Sequence, residues 1–226
     1  MRFDAIIFDF DGVLLESEFE GNRMLAELLT ELGHPTSVAE AIEHFTGLAG
    51  PDFIARVEAR IGRELPPEFH KATRAERDRT LEEGIAAVAG AVEFVRALPV
   101  NLPKAVASSS TTRWVRTHLD HLGLAGIFEP HIYSGREHVE RGKPAPDLYL
   151  LAAKELGADI QRTVILEDSK VGATGALASG ATVIGLAAGR HCFDGHADML
   201  RRVGVREIAT SFEDVARFVG LDQPSK

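Results

Sequence analysis

A single cysteine, Cys192, in 226 residues leaves no partner for an internal disulfide and points to a reducing, cytoplasmic setting. No apolar run approaches the ~20 residues that a membrane-spanning helix needs, so a membrane partner is not expected. The first apolar stretch is interrupted by Asp4 and Asp9, which does not fit the layout of a signal peptide. A basic tract is missing too, and the net charge is −9. Nucleic acid, bound through clustered Lys and Arg, is therefore not an expected partner. There are no internal repeats and no low-complexity segments; only Asp222 to Lys226 reads as loose. What is present is 45% hydrophobic and 26% charged, long enough for one large domain or one domain carrying an insertion.

Continuous apolar runs mark strands at 3–9, 104–107, 163–166 and 182–186, with a shorter one around 131–133. Runs without alternation are what parallel strands covered on both faces require. Helical patterns lie between them at 90–98, 111–122, 146–156, 170–179 and 213–219. Strand followed by helix, repeated, implies an α/β fold with a doubly wound parallel sheet. Residues 16–84 break that rhythm with amphipathic helices at Glu20–Leu32, Val38–Phe45, Asp52–Ile61 and Pro67–Glu83. The expected division is a core of residues 1–15 and 85–226 and a helical insertion of 16–84. An insertion rooted beside a site is placed to act as a lid; a helical subdomain that completes the core is the alternative.

The most informative stretch is Ala5-Ile6-Ile7-Phe8-Asp9-Phe10-Asp11-Gly12. An apolar strand ends in two carboxylates at i and i+2, which begin on one face of the chain. Such a pair is costly unless a cation or phosphoryl group offsets its repulsion. It also sits at the carboxyl end of a strand, where open α/β sheets bind ligands. A plain Asp-x-Asp-Gly surface turn is the competing reading.

Three further motifs bear on that choice. In Val106-Ala107-Ser108-Ser109-Ser110-Thr111-Thr112 a strand runs into a helix, where hydroxyls and free N–H groups suit an anion; simple N-capping by Ser110 or Thr111 explains it equally. Arg141-Gly142-Lys143-Pro144-Ala145-Pro146-Asp147 holds Lys143 beside two stiffening prolines, so that its charge can be aimed at phosphate. Val164-Ile165-Leu166-Glu167-Asp168-Ser169 again puts carboxylates at a strand end, a donor set suited to Mg²⁺, although both acids could cap the helix near Lys170. The glycine-rich stretch 172–176 reads as close helix-to-sheet packing.

Together, in this order, the four motifs resemble the haloacid dehalogenase superfamily, in its phosphatase and β-phosphoglucomutase-like branch with a helical cap of the first type. The resemblance implies a Rossmann-like core under a helical cap. It implies Asp9 as nucleophile, Asp11 as general acid and base whose main-chain carbonyl also ligates Mg²⁺, and Ser108 and Lys143 as holders of the phosphoryl group. Asp168, and Glu167 directly or through water, complete a metal set of Asp9, Asp11, Glu167 and Asp168. Gly12, Ser109, Thr46 and Gly47 are further candidates for contacting phosphate or substrate. An Asp at position 11 argues against carbon–halogen cleavage, because the dehalogenases of the family lack it.

The expected function is a Mg²⁺-dependent phosphohydrolase acting on a small phosphorylated metabolite, a sugar or polyol phosphate, as a monomer or weak dimer. A phosphosugar mutase is the alternative within enzymes. Mutases commonly carry an Arg after the substrate-loop glycine and a His early in the first cap helix, whereas here those places read Gly47-Leu48-Ala49-Gly50 and Glu20-Gly21-Asn22. Glu16 stands where the family usually has Asp, before Ser17, a change expected to affect hinge geometry. A signalling receiver domain also combines acids, a hydroxyl and a Lys, but on separate strands and without an insertion. A catalytically inactive sugar-phosphate-binding module would need a damaged nucleophile, metal acid or Lys, and none is damaged. Asn22, Arg23, His44, Thr46 and Leu48 are candidate specificity residues on the cap. Arg190, His191 and His196 follow the last major strand and read equally as a polar loop.

Overall fold

The computed structural model describes residues 3–46, 48 and 50–221. Its sheet contains β1 (Ala5–Phe8), β2 (Lys104–Ser108), β3 (Ile132–Ser134), β4 (Thr163–Glu167), β5 (Thr182–Leu186) and β6 (Glu207–Ala209). All pairings are parallel and the order is β3-β2-β1-β4-β5-β6. This is the doubly wound order of a Rossmann-like α/β sheet. Successive side chains of a strand point to opposite faces, and the apolar runs divide accordingly. Ile6, Phe8, Val106, Leu166 and Ile184 pack on one side with Phe94, Phe128 and Phe212. Ile7, Ala105, Ala107, Ile165 and Val183 pack on the other with Tyr149, Ala152, Ala173 and Ala176. Both faces are dry, so none of the four inner strands needs to alternate.

The helices are α1 (Ser17–Glu31), α2 (Val38–Phe45), α3 (Gly50–Ile61), α4 (Pro67–Glu83), α5 (Ala91–Ala97), α6 (Thr112–His121), α7 (Ala125–Phe128), α8 (Asp147–Glu155), α9 (Lys170–Ala178), α10 (His196–Val203) and α11 (Phe212–Val219). The first four have an apolar cluster of their own, including Leu25, Leu29, Phe45, Val57, Ile61 and Phe69. A capping box fixes the start of α2: the Ser37 hydroxyl accepts from Glu40 N, and the Glu40 carboxylate accepts from Ser37 N. The two connections of this helical segment run side by side. Leu15 bridges antiparallel to Ala87, Glu16 N donates to Ala86 O at 2.9 Å, and Val88 N donates to Leu14 O at 3.1 Å. They emerge directly after Asp11, which itself bridges to Leu15.

Three elements go beyond the sequence expectation. β6 is a three-residue edge strand starting at an exposed Glu207, so it carries no apolar run. α7 spans only four residues. α10 grows out of the stretch read as a polar loop, buries His196 and Leu200, and leaves its arginines outside. No helix among the described residues is long and apolar enough to cross a membrane.

Candidate active site

Parallel strands end on one edge, and the register decides which termini meet. Phe8 pairs with Leu166 and with Val106, so Asp9 stands level with Glu167, and Ser108 lies one residue further along β2. Asp9 N continues the ladder by donating to Leu166 O at 2.9 Å. The carboxylates of Asp9, Glu167 and Asp168 have ligand atoms within 4.8 Å of one another, and all three residues are buried. Lys143 enters between two of them, its Nζ 2.6 Å from Asp9 Oδ1 and 2.7 Å from Glu167 Oε1. Glu167 also accepts from Tyr149 OH at 2.7 Å and from the N and Oγ of Ser169, each at 3.0 Å. With both oxygens engaged, Glu167 fixes the direction of Lys143 while remaining part of the acid cluster.

Burial and the neighbouring carboxylates push the Asp9 carboxyl well above the usual carboxylate range, against the pull of Lys143. Burial also works against Glu167, but the Lys143 charge and the hydrogen bonds outweigh it and hold that carboxyl low. Burial works against the charge on Lys143, but the charges and hydrogen bonds of Asp9 and Glu167 outweigh it and raise the pKa, so it stays an ammonium. Asp168 Oδ2 lies 2.8 Å from His191 Nε2, while its Oδ1 is buried without a hydrogen-bond partner among the described residues. A buried, orphaned carboxylate oxygen beside an Asp that resists ionisation is the environment a hard cation fits.

The Asp11 carboxylate stands outside this group; the metal role expected of Asp11 rests on its main-chain carbonyl and not on this side chain. Its Oδ1 accepts from Ser17 Oγ at 2.7 Å and Trp114 Nε1 at 3.0 Å. Its Oδ2 accepts from Ser110 Oγ at 2.7 Å and Ser108 Oγ at 3.2 Å. Ser108, expected at the phosphoryl group, is thus tied to Asp11, and its hydroxyl accepts from Ser110 N at 2.9 Å. Ser109 is exposed at the rim. Gly12 is buried at φ 82°, and a Cβ there would overlap Asp168 Oδ2 and press on His191. Gly172 makes comparable room for the Glu167 carboxylate, so the glycines of α9 serve the site and not only packing.

Between α4 and the start of α6 lies a cavity of about 260 Å³, lined by Arg74, Arg77, Arg113 and Trp114 among others. A recess of about 210 Å³ shares Arg77 and Trp114 with it and reaches Ser110 and Arg136. Trp114 and Ser110 are two of the four residues bonded to the Asp11 carboxylate, so this space adjoins it. Half-buried Glu18, at the start of α1, has its carboxyl pushed up to about 7 by burial and by the charges of Asp168 and Asp11.

The cap candidates fare differently. Asn22 is buried and donates to Thr46 Oγ1 at 3.1 Å. Arg23 is committed to Glu20 and Glu27 on its own helix, and His44 is exposed. Gly47 lies outside the described residues. Glu16 is buried with its carboxylate accepting from Arg190 N at 3.0 and 3.2 Å, which ties the hinge to the loop after β5. Trp114, Tyr149 and Ser110 were not singled out as active-site contacts from sequence. Trp114, the chain's lone tryptophan just after the serine motif, was a usable signal.

Behind Trp114, with ring centroids 4.2 Å apart, His118 is fully buried and neither ring nitrogen has a partner among the described residues. Burial depresses its pKa to about 4, against the opposing charge of Asp11. The unfolded chain binds this proton near pH 6.5 and the folded one does not, so stability is lost as pH falls from 6.5 toward 4. Between pH 7 and 5 this group costs about 2 kcal/mol. Urea unfolding of His118→Leu should show a pH dependence shallower by that amount; an unchanged slope would contradict a neutral buried His118.

The model of the haloacid dehalogenase-like hydrolase family matches residues 3–180. Hexitol phosphatase A of Escherichia coli is 31% identical over 196 residues, covering 81% of this chain and 83% of its own length. The 6-phosphogluconate phosphatase of the same organism is 27% identical over 191 residues, covering 84% and 85%. A haloacid dehalogenase family hydrolase from Deinococcus radiodurans, solved with bound phosphate and sodium, superposes with a TM-score of 0.84 at 34% identity, covering 99% of each chain. With the Rossmann-like sheet and the acids at its switch point, the family match places this chain among the haloacid dehalogenase-like hydrolases.

Proposed function

We propose that the protein is a Mg²⁺-dependent phosphatase that releases phosphate from a small sugar or polyol phosphate through an aspartyl-phosphate intermediate. The observation that carries this reading is the contact of Lys143 with Asp9 beside the orphaned oxygen of Asp168. Named relatives that act on hexitol phosphates and 6-phosphogluconate support the substrate class. Asp9, Asp168 and the Asp11 carbonyl would hold the Mg²⁺, which supplies charge neutralisation at the nonbridging phosphoryl oxygens.

Asp9 attacks phosphorus, forming an Oδ–P bond as the bond to the leaving oxygen breaks. Dividing the displacement in this way replaces one difficult step with two easier ones. Lys143, a fixed and desolvated charge, stabilises the developing negative charge without reorganising. Asp11 gives its proton to the departing alcohol and later accepts one from the water that cleaves the acyl phosphate. The cavity beside Trp114 and Ser110 takes the leaving group, and its arginines suit an oxygen-rich molecule. The four-helix segment covers the site as a lid, hinged where residues 14–16 pair with 86–88.

Asp11→Asn should lower turnover of alkyl phosphates by about 10²–10⁴-fold. With p-nitrophenyl phosphate, whose leaving group needs no proton, it should give a burst of nitrophenol followed by slow turnover. Equal rates for variant and wild type would remove Asp11 from proton transfer. The broader test is a panel of phosphorylated sugars and polyols assayed with Mg²⁺. Phosphate release that chelation abolishes and Mg²⁺ restores is expected; release from no member, or release indifferent to chelation, contradicts the assignment.

A further inference from the structure

The loop after β5 places nitrogen and sulfur donors against the phosphoryl site. His191 is fully buried, with Nε2 2.8 Å from Asp168 Oδ2. His196, the first residue of α10, is also buried, with Nε2 2.8 Å from the main-chain oxygen of Asp168. Cys192, half-buried, has its Sγ 3.7 Å from His191 Nε2. One ligand atom from each of the three residues lies within 4.8 Å of the others.

A carbonyl oxygen only accepts, so in its bond to Asp168 the Nε2 of His196 carries the hydrogen. That fixes the tautomer of the neutral ring and leaves Nδ1 a bare lone pair, buried and without a partner among the described residues. A second bond that orients a ring and sets its tautomer is the usual support for a metal-binding histidine. The spacing fits as well. Bonds of about 2.3 Å to sulfur and 2.0–2.1 Å to nitrogen at a tetrahedral angle put the two donors about 3.6 Å apart. Imidazole and thiolate select borderline transition metals, the opposite preference from the carboxylates next door.

We propose that His191, Cys192 and His196 form a binding site for a zinc-class ion, with Asp168 Oδ2 as fourth ligand, and that its occupation opposes phosphatase turnover. Binding releases to solvent the thiol proton of Cys192 and the Nε2 proton of His191, whose ring stays neutral by carrying its remaining hydrogen on Nδ1, while His196 Nδ1 offers its lone pair directly. Asp168 is then shared between two ions of different hardness and is drawn away from the hydrolytic one. The binding claim is independent of the phosphatase reading; the inhibition claim rests on it.

The whole chain, stripped with chelator and held in excess Mg²⁺, is titrated with Co²⁺. Carboxylate and water ligands give weak absorption, whereas a thiolate ligand adds a near-ultraviolet charge-transfer band. Wild type should show that band, saturating at one equivalent, together with the stronger visible bands of four-coordinate cobalt. Cys192 touches no reacting atom, so Cys192→Ser should keep its Mg²⁺-supported activity and lose the band. Zn²⁺ should slow alkylation of the lone thiol in wild type by about tenfold or more, taking a zinc-bound thiolate as shielded from attack. It should inhibit wild type in excess Mg²⁺ while sparing Cys192→Ser. Absence of the thiolate band with unprotected alkylation overturns the site. Equal inhibition of wild type and Cys192→Ser overturns the regulatory role, whatever the cobalt spectrum shows.

Discussion

Asp9→Asn is expected to lower kcat by on the order of 10⁴-fold or more, the scale of removing a covalent nucleophile, with the fold intact. An amide oxygen can still accept from Lys143, so the contact at 2.6 Å has a replacement. The amide cannot attack phosphorus to give a stable acyl phosphate. Stability should move the other way from activity. Burial and three neighbouring carboxylates make the Asp9 charge unfavourable in the metal-free protein, and Asn removes that charge. The metal-free variant should therefore unfold at a temperature equal to or above that of the metal-free wild type. Steady-state kinetics and thermal unfolding check the two halves separately. Near-normal turnover would dismiss Asp9 as nucleophile, and a variant that unfolds well below wild type would dismiss the electrostatic reading.

The second large effect is expected at Lys143. Its side chain is 3% exposed between Asp9 and Glu167, whose side chains are 9% and 0% exposed. Lys143→Met keeps much of the apolar stem and its place over the Tyr149 ring, but leaves two carboxylates without their counter-charge. Breaking a buried pair in this way costs about 3–5 kcal/mol, a fall in Tm on the order of 10 °C for a chain of this size. Activity should fall by at least about 10²–10³-fold, the scale of losing one preorganised charge at the transition state. Lys143→Arg should rescue neither fully, because a planar guanidinium does not fit a pocket shaped for a compact ammonium. Calorimetry and kcat measurements decide it. A Met variant within about 1 kcal/mol of wild type would mean that Lys143 is not what holds Asp9 and Glu167 together.

Much of this arrangement can be read in the sequence, for a physical reason. β1, β2, β4 and β5 are buried on both faces and so appear as unbroken apolar runs, and in β1, β2 and β4 a polar residue at the carboxyl end marks the sheet edge. Asp9, Glu167 and Asp168 stand out because charges are rare in such surroundings, and Lys143 stands out by the prolines that follow it. β6 is an edge strand with an exposed start, and α10 begins inside a stretch rich in glycine and polar residues, so neither has that contrast. The supporting shell is illegible for another reason. Trp114 reaches Asp11 across 103 residues of sequence, and Tyr149 meets Glu167 from a helix whose pattern records only that its face is buried. His191 looks like a loop residue until the chain folds it against Gly12, Gly189 and Asp168. Helical period shows which face is inward, not what it meets.

The hinge shows the same limit. Glu16 in place of an Asp was expected to alter hinge geometry, and its longer carboxylate reaches the main chain of Arg190. The Arg190 guanidinium in turn lies 3.6 Å from the centroid of Phe19, on the first turn of α1. One loop thereby touches the cap through Phe19, the hinge through Glu16 and the acid cluster through Asp168. A single residue change at the linker is visible in the sequence; the partner it selects is not.

Transient phosphorylation of Asp9 as an acyl phosphate is tested most directly by rapid-quench trapping. Wild type is mixed with a radiolabelled phosphate monoester and Mg²⁺, stopped in acid within milliseconds, digested and mapped. The label is expected on the peptide containing Asp9, to be released by hydroxylamine as an acyl phosphate, and to be absent from Asp9→Asn. Turnover with no protein-bound label at any time, or label on a peptide lacking Asp9, would contradict it.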